Sequence, residues 1–142
     1  MTKLKNDGSV SYSIVIPVFQ NEGSINDVFY KIKENVIDQN HNYSCEIIFV
    51  DDGSTDKSFE LLSELHNKYP ELIVIVKLTR NFGTYPAIIA GYEKARGNCI
   101  INISADLQDP PELINQMLSS YFDESFNIVI CHRNSRDESA YR

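Results

Sequence analysis

The stretch Cys45-Glu46-Ile47-Ile48-Phe49-Val50, running straight into Asp51-Asp52-Gly53-Ser54-Thr55-Asp56, decides the fold of this chain. Its first half is almost continuously apolar and rich in β-branched residues. That pattern suits a strand buried on both faces, as in a parallel sheet. Its second half combines turn-forming residues with three carboxylates, so a buried strand ends in an acidic turn. Apolar runs of the same kind recur at residues 12–19, 72–78, 99–103 and 127–131. Their starts lie roughly 26–33 residues apart, the size of one strand–helix–strand unit.

Helical periodicity fills the gaps. Ile25, Val28, Phe29, Ile32 and Val36 fall on one helical face, and Leu113, Ile114, Met117 and Leu118 on another. Ser24-Ile25-Asn26-Asp27 reads as a capping box with Asp in place of Glu. Asp109-Pro110-Pro111-Glu112 offers an N-cap Asp, a proline at the first helical position and an acid in the first turn. Five strands alternating with four helices predict an open, mostly parallel α/β sheet sandwiched by helices. Residues 1–142 make one domain, with 1–11 expected to be a flexible polar lead-in.

The composition removes several function classes. Net charge is -7, with 13 Lys and Arg against 20 Asp and Glu, a poor balance for gripping a nucleic-acid backbone. An acidic protein that takes a phosphorylated ligand generally needs a divalent cation between the two. The cysteines Cys45, Cys99 and Cys131 are widely spaced and odd in number, which predicts buried free thiols rather than a disulfide framework. No apolar run reaches the roughly 18–20 residues that cross a bilayer. With no apolar leader at the N-terminus, the expected location is the cytoplasm.

In open α/β sheets, ligands bind beyond the carboxyl ends of the strands. The segments there are Pro17 to Gly23, Asp51 to Asp56, Thr79 to Gly83 and Ser104 to Asp109. Neither a G-x-G-x-x-G turn nor a G-x-x-x-x-G-K-[ST] loop occurs, so phosphates must be held by another device. Asp51-Asp52-Gly53-Ser54 has two readings: turn and cap chemistry, or carboxylates accepting hydrogen bonds from a base or ribose. Asp109 before Pro110 suits a helix cap. Asp106, leaving a buried strand, must be solvated, paired or metal-bound. A carboxylate with the Gln108 amide suits Mg²⁺ or Mn²⁺, with phosphate oxygens and water completing the shell.

Taken together, four stretches resemble the family 2 glycosyltransferases of GT-A fold, nearest to the dolichol-phosphate mannose synthase and polyprenyl-phosphate glycosyltransferase group. They are Ile14 to Glu22, Val50 to Asp56, Arg80 to Gly83 and Ala105 to Glu112. The resemblance implies transfer of a sugar from a UDP- or GDP-sugar, with inversion, to a polyprenyl phosphate or glycan. It implies that Pro17, Phe19, Glu22, Asp51, Asp52, Arg80, Asn81 and Asp106 bind the nucleotide sugar, and that Asp106 and Gln108 hold Mg²⁺ or Mn²⁺. Asp106 would serve catalysis, with Arg133 and Arg136 directed at an acceptor phosphate and residues 133–142 opening the acceptor loop.

Two positions depart from the family pattern: Ser104 stands where a carboxylate is common, and Thr84 where a basic residue is common. The resemblance also implies further acceptor-side residues beyond 142, so these residues are expected to form the donor-binding part. A peripheral place at the cytoplasmic face of a membrane and a homo-oligomer are further expectations. Two other readings stand beside it. One is a nucleotide-sugar-binding module without catalysis. The other is a phosphoacceptor signalling domain, disfavoured because the first strand ends in Pro17 rather than in acids.

Overall fold

The computed structural model describes residues 9–131. Four strands form one parallel sheet: β1 (Tyr12–Val18), β2 (Cys45–Asp51), β3 (Ile73–Lys77) and β4 (Cys99–Asn102), in the order β3-β2-β1-β4. The helices are α1 (Ile25–Ile32), α2 (Ser58–Lys68), α3 (Thr84–Lys94) and α4 (Leu113–Phe122). A π-helical turn (Lys33–Ile37) extends α1.

The two core clusters show why the layers form. Tyr12, Ile14, Ile16 and Val18 of β1 pack with α1, α2 and α4, whose buried residues are Ile25, Val28, Phe29, Ile32, Leu62, Leu65, Ile114 and Leu118. The alternate residues Val15, Ile48 and Val50 face the other way, onto Ala87 of α3. Strand side chains alternate between faces, so both faces need cover and both find it. Gly91 lets α3 sit close: a Cβ there would lie 2.4 Å from a Val15 methyl carbon.

The chain steps outward from β1 to β2 to β3, then returns to place β4 on the other side of β1. This reversal puts a topological switch point between β1 and β4, where open sheets leave a crevice. Pro17 marks it. The Val15 carbonyl accepts from the Ile103 amide at 3.2 Å, so odd positions of β1 bond towards β4. The β1–β4 pairing runs only as far as Val15 opposite Asn102. Pro17 therefore lacks its N–H where no neighbour needs one, which is how a central strand accommodates a proline.

Several expectations are corrected. Residues 127–131 form no strand; Ile128 and Ile130 are 79% and 84% exposed. A doubly buried strand needs a layer on each face, and among the described residues nothing covers that side. The Ser24 hydroxyl does not cap α1, because it donates to the Ala105 carbonyl at 2.6 Å instead. Helix α4 starts at Leu113, with Glu112 rather than Asp109 at its N-cap. A residue before proline is pushed out of the helical region, and here Asp109 and Pro110 both precede one.

The thiols divide. Cys45 and Cys99 are half-buried, whereas Cys131 is exposed rather than buried. Burial pushes the Cys45 thiol up to about 12 and Cys99 up to about 11, so neither supplies a thiolate at neutral pH.

Candidate functional site

The loops at the carboxyl ends of the strands are bound into one edge. Gln20, with a left-handed φ of 55°, turns its side chain onto the loop after β2. Its carbonyl oxygen accepts from the Thr55 and Asp56 amides at 3.1 and 3.0 Å, and its amide donates to the Thr55 hydroxyl at 2.8 Å. Glu22 is exposed, and its Oε2 accepts from the Lys57 amide at 2.9 Å. Asp56 accepts from the Glu22 and Ser58 amides, the latter at the start of α2. Burial alone would raise its pKa, but these bonds hold it below the usual carboxylate range.

Asp51 and Asp52 are both buried yet play different parts. The two oxygens of Asp52 accept from the Phe82 and Gly83 amides at 2.8 and 2.9 Å. Asp52 thereby orders the loop that carries the exposed Arg80 and Asn81. Gly53, at φ 70°, allows that loop to close; a Cβ there would come within 2.5 Å of the Arg80 carbonyl carbon. Asp51 Oδ1 accepts from the Ser54 amide at 3.1 Å, while Asp51 Oδ2 is buried with no partner. A buried acceptor left unpaired is costly and uncommon, which singles out this oxygen.

Across the switch point, the Ser24 hydroxyl ties the N-terminus of α1 to the loop after β4. That loop carries Asp106, which is exposed. Asp106 Oδ1 accepts from the Ser104 hydroxyl at 2.7 Å and from the Gln108 amide at 3.0 Å. Leu107, at φ 61°, supplies the bend that brings the Gln108 amide back. Asp106 Oδ2 takes part in none of the hydrogen bonds found among the described residues. No group of three or more His, Cys, Asp and Glu among them converges on a metal position. A carboxylate with one oxygen outside these bonds still fits a hard cation that draws its other ligands from an amide, phosphates and water.

Of the residues read from sequence, Pro17, Phe19, Glu22, Asp51, Asp52, Arg80, Asn81, Asp106 and Gln108 all lie on this one edge. Phe19 and Phe82 are 44% and 46% exposed, and the Arg80 guanidinium lies 4.7 Å from the Phe82 ring centre. Arg133 and Arg136 lie outside the described residues. From sequence, Gln20 is not expected to act at the site, Ser24 reads only as a helix cap, and Ser104 only as a missing carboxylate. Their bonds reach 34–36, 81 and 2 positions along the chain, and only the last spacing could be read locally.

Comparison with known proteins agrees with this arrangement. Mannosyltransferase PcManGT from Pyrobaculum calidifontis, solved with GDP-Man and Mn²⁺, superposes with a TM-score of 0.59 at 20% identity. The match covers 70% of this chain and 32% of that one. GalNAc-T7, solved with UDP, GalNAc and Mn²⁺, also gives 0.59, at 21% identity, over 70% of this chain and 19% of that one. At such identities the likeness shows the fold alone, the GT-A arrangement.

Sequence relatives are nearer. The uncharacterized glycosyltransferase YkcC of Bacillus subtilis is 42% identical over 127 residues, covering 89% of this chain and 38% of its own length. An undecaprenyl-phosphate 4-deoxy-4-formamido-L-arabinose transferase of Pseudomonas fluorescens is 38% identical over 130 residues, covering 92% and 37%. The chain thus spans under two fifths of the length of these relatives. The family model described as glycosyl transferase family 2 matches residues 13–142, and this chain belongs to that family.

Proposed function

We propose that this chain is the donor-binding part of an enzyme that transfers a sugar from a UDP- or GDP-sugar, with inversion, to a polyprenyl phosphate or a glycan. The unpartnered Oδ2 of Asp51 carries the reading most directly. It is an acceptor waiting for an N–H donor at the end of β2, and the imide or amide N–H of a uracil or guanine base is such a donor. Asp52 and Glu22 hold the surrounding loops in shape, Pro17 and Phe19 flank the crevice, and Arg80 and Asn81 lie beside the nucleotide. Family membership and the polyprenyl-phosphate transferase among the relatives support the reaction class.

Asp106 and Gln108 would hold Mg²⁺ or Mn²⁺ against the diphosphate. When bound, the ion neutralises charge on the departing nucleoside diphosphate. Asp106 would supply a carboxylate oxygen to it, and Ser24 keeps the Asp106 loop against α1. A phosphate acceptor is already ionised at neutral pH and needs orientation more than a base, a role that falls to Arg133 and Arg136. The enzyme would work in the cytoplasm, peripherally at the membrane face when its acceptor is lipid-linked, and would contribute to cell-envelope polysaccharide synthesis.

Isothermal titration of the folded chain with UDP, GDP and their sugars, with and without Mn²⁺, tests the proposal. Binding that strengthens with Mn²⁺ is expected; absence of binding by a folded sample overturns it. A second reading is a donor-binding module that catalyses nothing by itself. It is distinguished by donor binding without transfer when polyprenyl phosphate is supplied.

A further inference from the structure

Resting on that reading of the site, we propose that Ser104 is the positioning residue that presents Asp106 to a divalent cation through a single oxygen. The Ser104 hydroxyl donates to Asp106 Oδ1 at 2.7 Å, and the Gln108 amide donates to the same oxygen at 3.0 Å. A carboxylate oxygen with two short donors is largely committed. Oδ2, which takes part in neither bond, is then the oxygen left for a metal. Two fixed donors on one oxygen also remove the rotation of the Asp106 carboxylate about its own axis.

This arrangement matters because the site is poor in charge. With Ser rather than a carboxylate at 104, Asp106 is the only acid between β4 and Gln108. A single carboxylate on an exposed loop holds a cation only when its geometry is set beforehand, since ordering it on binding would cost part of the affinity. Ligand-orienting partners of this kind act on metal affinity more than on the fold. Ser104 is well placed for that role. It is half-buried between the buried Ile103 and Ala105, and bonds forward by only two positions. The bond is local, made within the same loop.

The test measures the Mn²⁺ dependence of UDP or GDP binding by calorimetry in the full chain, with melting temperature recorded for each variant. Ser104→Ala should weaken the Mn²⁺ requirement's midpoint by about ten-fold, the low end of what loss of an orienting partner costs. Its melting temperature should stay near that of the unmodified chain. Ser104→Thr, which keeps the hydroxyl, should restore the midpoint. Asp106→Asn separates this inference from the underlying reading and should abolish the Mn²⁺ effect. If Asp106→Asn removes the effect while Ser104→Ala leaves it unchanged, Ser104 is only a surface residue and the inference fails alone. If the unmodified chain shows no Mn²⁺ effect, both fail together.

Discussion

At the scale of single residues, the two neighbouring aspartates after β2 are chemically identical in sequence and opposite in structure. Asp52 is satisfied at both oxygens by amides, and Asp51 leaves one oxygen buried and orphaned. An unpaired buried carboxylate oxygen destabilises the ligand-free protein, so Asp51 embodies a conflict between stability and binding. Asp51→Asn replaces that charge with a neutral amide of the same shape. It should melt no lower than the unmodified chain, by up to about 1 kcal/mol in its favour, while losing most of its affinity for UDP and GDP. Thermal unfolding and calorimetry on the same sample check both halves. A lower melting temperature with intact binding would sink the idea. The turn-or-ligand ambiguity of Asp51-Asp52 was irreducible in sequence, since it depends on which amides come near from 30 residues away.

At the scale of elements, the sheet is pinned at its amino-terminal end by a bond set no periodicity announces. Glu46, 1% exposed, accepts from the Ser13 hydroxyl at 2.7 Å, the Arg96 amide at 2.7 Å and Arg96 Nε at 2.9 Å; Arg96 Nη2 lies 2.8 Å away. These bonds join β1, β2 and the turn before β4. In sequence Glu46 looks like a lone polar residue interrupting an apolar run. Burial alone would raise its pKa, but the bonds from Ser13 and Arg96 outweigh burial and hold it below the usual carboxylate range. A depressed folded pKa means stability present above the unfolded value, near pH 4.3, and lost as pH falls through the folded value.

Arg96→Ala should therefore destabilise the chain at pH 7 by about 1–2 kcal/mol, discounted because the guanidinium is mostly exposed. The difference from the unmodified chain should shrink below about pH 4. Urea unfolding at pH 7, 5 and 3.5 reads this out, and a difference that does not change with pH would contradict it.

At the scale of the whole molecule, apolar surface gathers on the β4 side. Tyr85, Ile89 and Tyr92 expose a stripe along α3, and Ile100, Ile128 and Ile130 continue it past the sheet edge. Tyr92, Ile100 and Ile130 also line a cavity of about 480 Å³ together with Leu113 and Met117 of α4. Helix α3 turns Ala87 and Gly91 to the sheet and its tyrosines outward. Contiguous apolar surface on a monomer marks an interaction site, and this chain is expected to self-associate through it. Ile128→Ser with Ile130→Ser should shift sedimentation towards monomer at about 50–100 µM, concentrations at which weak interfaces still form. A chain that sediments as a monomer at the highest soluble concentration would refute the expectation.

The sequence by itself determined the strand–helix alternation, the positions of β1 to β4, the buried faces of α1 and α4 and the family. These rest on side-chain periods and loop motifs confined to short windows, which burial on two faces of a sheet imposes directly. It also pointed to the strand ends as the candidate site, since the polar and acidic clusters follow the apolar runs. Only the tertiary structure decided that residues 127–131 are not a strand, because strand formation there depends on a covering layer. It alone distinguished Asp51 from Asp52 and moved Ser24 from a helix cap to a tie across the switch point. Each of those outcomes depends on which polar group reaches a donor or acceptor first. That is a property of packed loops, and residue spacing does not encode it.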